Sequence, residues 1–215
     1  MAIKILENIS LKKYNTFQID AKAKFFCKVE SFQDLIELKS HEVFQEKRLV
    51  IGGGSNMLLL NDWNGLIILN NILGIEIIEE TEDSILIKSG AGEVWHDFVL
   101  FCVENEFYGL ENLSLIPGSV GASPIQNIGA YGVEIKDCFE KLEAFEIETG
   151  EKKVFEHKDC AFAYRESVFK QELKGKYIIT QVYYRLAKTA NFNTSYGAIE
   201  NQLKADGIEK LTIKA

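Results

Sequence analysis

The stretch GLENLSLIPGSVGASPIQNIGAYG, from Gly109 to Gly132, constrains the fold more than any other part of the chain. No residue from Asn112 to Val133 carries a charge, although 26% of the 215 residues do overall. Both of the chain's two prolines, Pro117 and Pro124, also lie here. A solvated loop would be studded with Lys, Glu and Asp. A neutral, glycine-rich loop of this length is built to be covered, by protein or by a ligand. Gly118, Gly121, Gly129 and Gly132 free the backbone. Ser119, Ser123, Gln126 and Asn127 offer neutral hydrogen bonds, and Ile116, Ile125 and Ile128 offer apolar walls. Small, neutral and apolar is the lining a large planar cofactor with a pyrophosphate requires; the alternative is a buried structural loop.

The charge balance narrows the partners. A net charge of −8 speaks against nucleic acid, which wants a basic surface, so an anionic ligand must rely on a few local cations or on backbone N–H groups. Cys27, Cys102, Cys138 and Cys160 are scattered and form no CxxC pair, which argues against zinc and a disulfide framework and for a reducing compartment. MAIKILENISLKKYN lacks the apolar core and cleavage site of a signal peptide, and no apolar run approaches the ~18 residues of a membrane span. A cytoplasmic enzyme or binding protein is expected, with no membrane insertion and no obligate protein partner evident.

Along the chain, KFFCKVES reads as a strand, and Ser31 as the N-cap of a helix FQDLIELKS with Phe32, Leu35 and Ile36 inward. RLVI reads as a buried strand running into GGGSN, and MLLL and GLIILN as strands separated by the turn NDWNG. This predicts a small β-rich unit up to about Asn71. GIEIIEE and SILIKSG form a hairpin around Glu82-Asp83, and EVWHDFVLFCVENEF an amphipathic helix with Val94, Phe98, Phe101 and Cys102 on one face. KLEAFEIETGEKKVFE alternates and turns at Thr149-Gly150, and YIITQVYYRL is a further strand. The tail from Lys188 is polar and loop-like, and a helix start is expected at Thr212. Strands outnumber helices without regular alternation, so the class is α+β.

Three short motifs carry chemistry. In IGGGSN, Gly52, Gly53 and Gly54 let the backbone approach a ligand, and consecutive N–H groups there could cradle phosphates; a tight turn between strands is the other reading. No Gly-Lys-Ser/Thr follows, and Met57 stands where a GxGxxG would have its third glycine, so neither nucleotide fingerprint is complete. In CAFAYRES, Arg165 beside Tyr164 could grip a carboxylate, or be an ordinary surface arginine. PGSVG falls short of a nucleophile elbow because Pro117 replaces the first glycine, and His41, His96 and His157 sit in no metal or catalytic motif.

Taken together, YNTFQIDAKA, IGGGSNMLL, SGAGEVWH, GLENLSLIPGSVGASPIQNIGAYGVE, FAYRESVFK and TSYGAI resemble the UDP-N-acetylenolpyruvoylglucosamine reductase family, in the right order over nearly the whole chain. The resemblance implies an α+β fold of the vanillyl-alcohol-oxidase type, with two subdomains around one non-covalent FAD. These would be residues 1–72 and residues 73–215, the latter with a substrate loop near 190–200. It implies that Gly52, Gly53, Gly54, Ser55 and Asn56, with Pro117, Gly118, Ser119, Gly121, Ala122, Ser123, Ile125, Asn127 and Gly129, wall the FAD. NADPH would reduce the flavin, whose N5 hydride would pass to the enolpyruvyl double bond of a UDP-sugar. Arg165 would stabilise the enolate forming at the substrate carboxylate, with Tyr164 beside it, and Tyr196 would hold the UDP pyrophosphate.

The sequence also departs from the family. A serine in a motif of the form GSFFKNP and a late glutamate occur nowhere in these residues, so the family's C-terminal substrate domain is expected to be absent, proton donation to fail, and apolar surface to be exposed. Two other readings stand beside the reductase. One is another flavin oxidase of this fold, although no His or Cys for covalent attachment lies in the flavin-wall loops; the other is a non-catalytic nucleotide-binding remnant.

Overall fold

The computed structural model describes residues 3–197, 199–208 and 210–213. Its first sheet holds β1 (Ile5–Ser10), β2 (Lys22–Val29), β3 (Arg48–Ile51) and β4 (Trp63–Asn70) in the order β1-β2-β4-β3. β2 and β3 run parallel to β4, while β1 pairs antiparallel with β2. A central parallel strand is covered on both faces, so it reads as an unbroken apolar run. Leu66, Ile67 and Ile68 of β4 are accordingly fully buried.

Between β2 and β3 lies α1 (Phe32–Ser40). The Ser31 Oγ accepts from the Asp34 N–H at 3.1 Å, and the Asp34 carboxylate accepts from the Ser31 N–H at 3.1 Å, completing the expected cap. Leu35 and Leu38 face inward; Ile36, expected beside them, is exposed because the helical period carries it off that stripe.

The second sheet begins with β5 (Ile75–Glu80) and β6 (Ser84–Gly90), the expected hairpin. Then follow α2 (Trp95–Glu104), a short pair β7 (Gly129–Ala130) and β8 (Val133–Glu134), the hairpin of β9 (Phe139–Glu146) and β10 (Lys152–Glu156), and β11 (Tyr177–Ala187). The order is β10-β9-β11-β6-β5, with every neighbour antiparallel. α2 packs Trp95, Phe98, Val99 and Cys102 against Ile85, Ile87, Val182 and Tyr184 of this sheet. The two sheets interlock. Phe145 and Ile178 of the second share a core with Leu35 and Leu38 of α1, and the buried Asn70 amide donates to the Ile179 carbonyl at 2.8 Å.

Several sequence expectations need correction. RLVI is an edge strand in which only Ile51 is buried, because β4 takes the central place. MLLL is irregular: Leu58 and Leu60 are exposed and only Leu59 is buried, while β4 starts earlier, at Trp63 inside the expected turn. β1 carried no clear alternation, and its Asn8 has φ +53. Val94 precedes α2 and is half-exposed, so Trp95 and Val99 complete the inner face with Phe98 and Cys102. The tail is not wholly loop, since it contains α3 (Ile199–Ala205). A helix from Thr212 would run into residues 214 and 215, which lie outside the described residues. Among the described residues, no helix is long and apolar enough to cross a membrane.

Candidate functional site

The site starts where β3 ends and the chain enters Gly52–Asn56. Gly54 takes φ +62, and a Cβ there would strike the Tyr14 carbonyl, so this corner accepts glycine and resists any larger residue. The segment it leans on is rigid: the buried Asn15 amide donates to the carbonyls of Leu11 at 2.8 Å and Ile19 at 3.0 Å, and accepts from the Ile19 N–H at 3.0 Å. Gly53 differs. Nothing lies within 4 Å of the place its Cβ would take, and its backbone faces open space.

Across from this loop, the neutral segment is pinned from behind. Gly121 N–H donates to the Ala91 carbonyl at 2.9 Å, Val120 N–H to Glu93 at 2.9 Å, and Trp95 N–H to Gly118 at 3.0 Å. SGAGEVWH is thus the backing of the central segment. The Ser123 hydroxyl donates to the Val120 carbonyl at 2.8 Å; with its one hydrogen so engaged, it accepts from the Tyr184 hydroxyl at 2.7 Å. The front of the segment lines a cleft of about 210 Å³, together with Ser55 and Asn56. Pro117, Gly118, Ser119, Ala122, Ser123 and Ile125 line it as well, as do Gln126 and Ile128. Gly53 opens instead onto a second recess of about 700 Å³, beside Lys12, Lys13, Asn15, Thr16 and Gln18.

The remaining residues expected around the cofactor sit behind the cleft. Gly52 abuts the Ser119 side chain, Gly121 abuts Ala91, and Gly129 pairs with Glu134. Asn127 is fully buried; its amide donates to the Ala163 carbonyl at 3.0 Å and its carbonyl accepts from the Lys136 N–H at 3.2 Å. Trp95 is a cleft residue that pattern reading missed. Its indole N–H donates to the Leu113 carbonyl at 2.8 Å while its ring backs the pocket. The signal was a tryptophan at the first position of α2, facing the segment its own backbone N–H anchors. His96 accepts from the Leu115 N–H at 3.1 Å and so holds the mouth of the segment, where Leu115 has φ +62 and stands 77% exposed.

Tyr164 and Arg165 occupy the tip of a two-residue turn closed by reciprocal Ala163–Glu166 backbone bonds of 3.1 Å. Arg165 has φ +55, is exposed, and makes no ion pair among the described residues. At the turn's base, one buried carboxylate oxygen of Glu166 has no hydrogen-bond partner among those residues. Tyr196, also exposed, meets the Tyr131 ring edge-on at 6.2 Å. Asn193 and Asn112 tie its loop to the Tyr131-Gly132 turn: Asn112 donates to the carbonyls of Asn193 and Tyr131, and Asn193 to that of Gly132.

The ground behind the cleft is electrically quiet. Burial pushes the Cys138 thiol up to about 12 and raises Cys102 and the Tyr184 hydroxyl as well, so none of them ionises near neutral pH. No cluster of three His, Cys, Asp or Glu suited to a metal occurs among the described residues.

A glycine-cornered strand end facing a neutral, backbone-lined wall is how a dinucleotide is held by main chain rather than by charge. The chain belongs to the FAD binding domain family, whose model matches residues 10–155, and FAD is its cofactor. Its fold is the α+β fold of vanillyl-alcohol-oxidase-type flavoproteins. A cholesterol oxidase from B. sterolicum shares that fold alone, at TM-score 0.57 and 14% identity over 86% of this chain and 38% of the other.

Within that class the chain is similar to UDP-N-acetylenolpyruvoylglucosamine reductases. It is 51% identical to that of Flavobacterium johnsoniae over 99% of this chain and 63% of the relative, and 41% identical to that of Chromobacterium violaceum over the same shares. The crystal structure of the Thermus caldophilus reductase matches at TM-score 0.64 and 25% identity, over 94% of this chain and 65% of that one. The chain therefore spans about 63% of the length of these curated relatives.

Proposed function

We propose that the chain is the FAD-binding part of a cytoplasmic reductase of peptidoglycan synthesis. The reaction is the NADPH-dependent reduction of the enolpyruvyl group of UDP-N-acetylglucosamine-enolpyruvate to UDP-N-acetylmuramate. The observation that carries this reading is the pair of recesses flanking the Gly52–Asn56 loop. An elongated dinucleotide needs two recesses joined by a turn that offers N–H groups to its pyrophosphate. One recess is neutral and walled by Trp95, Ile125 and Ile128; the other carries Lys12 and Lys13, local cations in a chain of net charge −8. Gly53 supports the fit, since a side chain there would project into the open space of the second recess. Residues 1–72 and 73–215 are the two subdomains in this reading.

When bound, FAD supplies a hydride acceptor for NADPH and a hydride donor for the substrate double bond. The chain's own residues do the rest. Ser55, Asn56, Pro117 and Ser119 orient the cofactor. Arg165, exposed and without an ion-pair partner among the described residues, stabilises negative charge growing at the substrate carboxylate more in the transition state than before it. Tyr164 supports it, and Tyr196 closes on the UDP pyrophosphate. These residues include neither the proton-donating serine motif nor the late glutamate, so this chain binds FAD and does not turn substrate over by itself.

A visible spectrum of the purified chain, before and after denaturation, tests this directly. The expected result is a flavin spectrum, or its appearance on adding FAD with quenching of Trp95 emission. Free flavin is then released on unfolding, and no NADPH oxidation depends on the enolpyruvyl substrate. A colourless protein that takes up no FAD overturns the proposal, and normal substrate-dependent turnover overturns the inactivity.

A further inference from the structure

One element of the cleft wall also holds a different part of the chain. Ile125 and Ile128 line the cleft, while Asn127 between them turns inward with φ +42. Its amide N–H reaches the Ala163 carbonyl at 3.0 Å, the first leg of the Tyr164-Arg165 turn. The second leg is held from the same wall, since the Ser167 hydroxyl, itself buried, donates to the Ile125 carbonyl at 2.6 Å. Lys170 adds a 2.8 Å bond to the Arg165 carbonyl. Ala161, Arg165 and Asn127 all sit in the left-handed region, a conformation that persists in non-glycine residues only where surrounding contacts over-determine it.

We propose that Asn127 is a positioning residue. With Ser167, it locks the Tyr164-Arg165 turn to the cleft wall, so that a flavin filling the cleft also fixes the arginine. The wall and the clamp are one four-residue segment, Ile125–Ile128, and ordering one side orders the other. This rests on the reading of Arg165 and the cleft given above. It adds that the cofactor's occupancy sets the order of the arginine.

The test is limited trypsin digestion of the whole chain, following cleavage between Arg165 and Glu166 by mass spectrometry. Cleavage after Lys174, in the exposed turn before β11, serves as internal control. Asn127→Gly keeps the left-handed backbone and removes both side-chain bonds, and Ser167→Ala removes the second clamp. Both variants are expected to be cut after Arg165 about tenfold faster than the parent, with the Lys174 rate unchanged. Added FAD should slow Arg165 cleavage in the parent and not in Asn127→Gly, even where Trp95 quenching shows FAD bound. Equal Arg165 rates in parent and variants, or full FAD protection in Asn127→Gly, overturns the proposal. If Asn127→Gly fails to fold by circular dichroism, Ser167→Ala decides by the same two readings. If no protein takes up FAD, the flavin reading falls, and the unliganded rates still decide the clamp.

Discussion

Adjacent glycines in the strand-end loop do opposite jobs. Gly54 is demanded by the fold: its φ of +62 and the Tyr14 carbonyl leave no room for a methyl group. Gly53 is free of both constraints, so its openness serves the recess rather than the turn. Gly54→Ala should cost at least about 1 kcal/mol in urea unfolding, from backbone strain and collision. Gly53→Ala should leave unfolding within about 0.5 kcal/mol of the parent and weaken FAD binding about tenfold or more. Trp95 quenching titrations alongside urea curves separate the two, and a Gly53→Ala protein with parental FAD affinity would remove that loop from the phosphate contact. Of these two roles, the triplet of glycines announced only that the backbone is close to something. Which glycine meets protein and which meets space depends on where residues 14–16 fall.

At the scale of elements, local chemistry and tertiary placement part company. α1 is local: its capping box needs only Ser31 and Asp34 at the right spacing. Ser31→Ala should destabilise the protein by about 1 kcal/mol. Asp34→Ala adds less to that variant than it costs alone, because the two bonds form one reciprocal unit. A double-mutant cycle by denaturant unfolding checks this, and strict additivity would mean that the box is not formed. MLLL shows the opposite case. Four apolar residues look like a strand, yet Leu58 and Leu60 point to solvent because β4 already fills the place beside β3. RLVI, read as a buried strand, is an edge strand instead, since the same four letters suit either place.

The whole molecule carries a pH signature. Burial, aided by nearby acidic groups, pushes the Cys27, Cys138 and Cys160 thiols up to about 12 and raises Cys102 also. The bond to Glu146, with burial, lifts Tyr177 to about 12, and burial raises Tyr183 and Tyr184. In the unfolded chain, thiols release their protons near about 8.5 and tyrosines near about 10. Between those values and 12 the unfolded state holds fewer protons than the native one, so stability falls as pH rises. Below about 7.5, a full unit under the unfolded thiol value, these groups contribute almost no slope. The thermal midpoint should therefore be insensitive to them up to about pH 7.5 and fall steadily from about 8.5 to 12. A midpoint flat to about pH 11 would mean that the thiols titrate in the native state.

The sequence by itself determined the class and most of the hairpins, because alternation, turn residues and a helix cap act over a few neighbouring positions. It also marked the Asn112–Val133 segment as covered, since the absence of charge over so long a loop has few other causes. Only the tertiary structure decided how that cover is divided. Tyr184, Ala91 and Glu93 close the back of the segment, the cleft opens at its front, and Asn127 is spent on the Tyr164-Arg165 turn. Those pairings join residues 27 (Glu93 to Val120) to 61 (Ser123 to Tyr184) positions apart in chain number. No local preference encodes contacts at such separations; they form only when two sheets and a helix have packed and fixed which face of each loop is left to solvent.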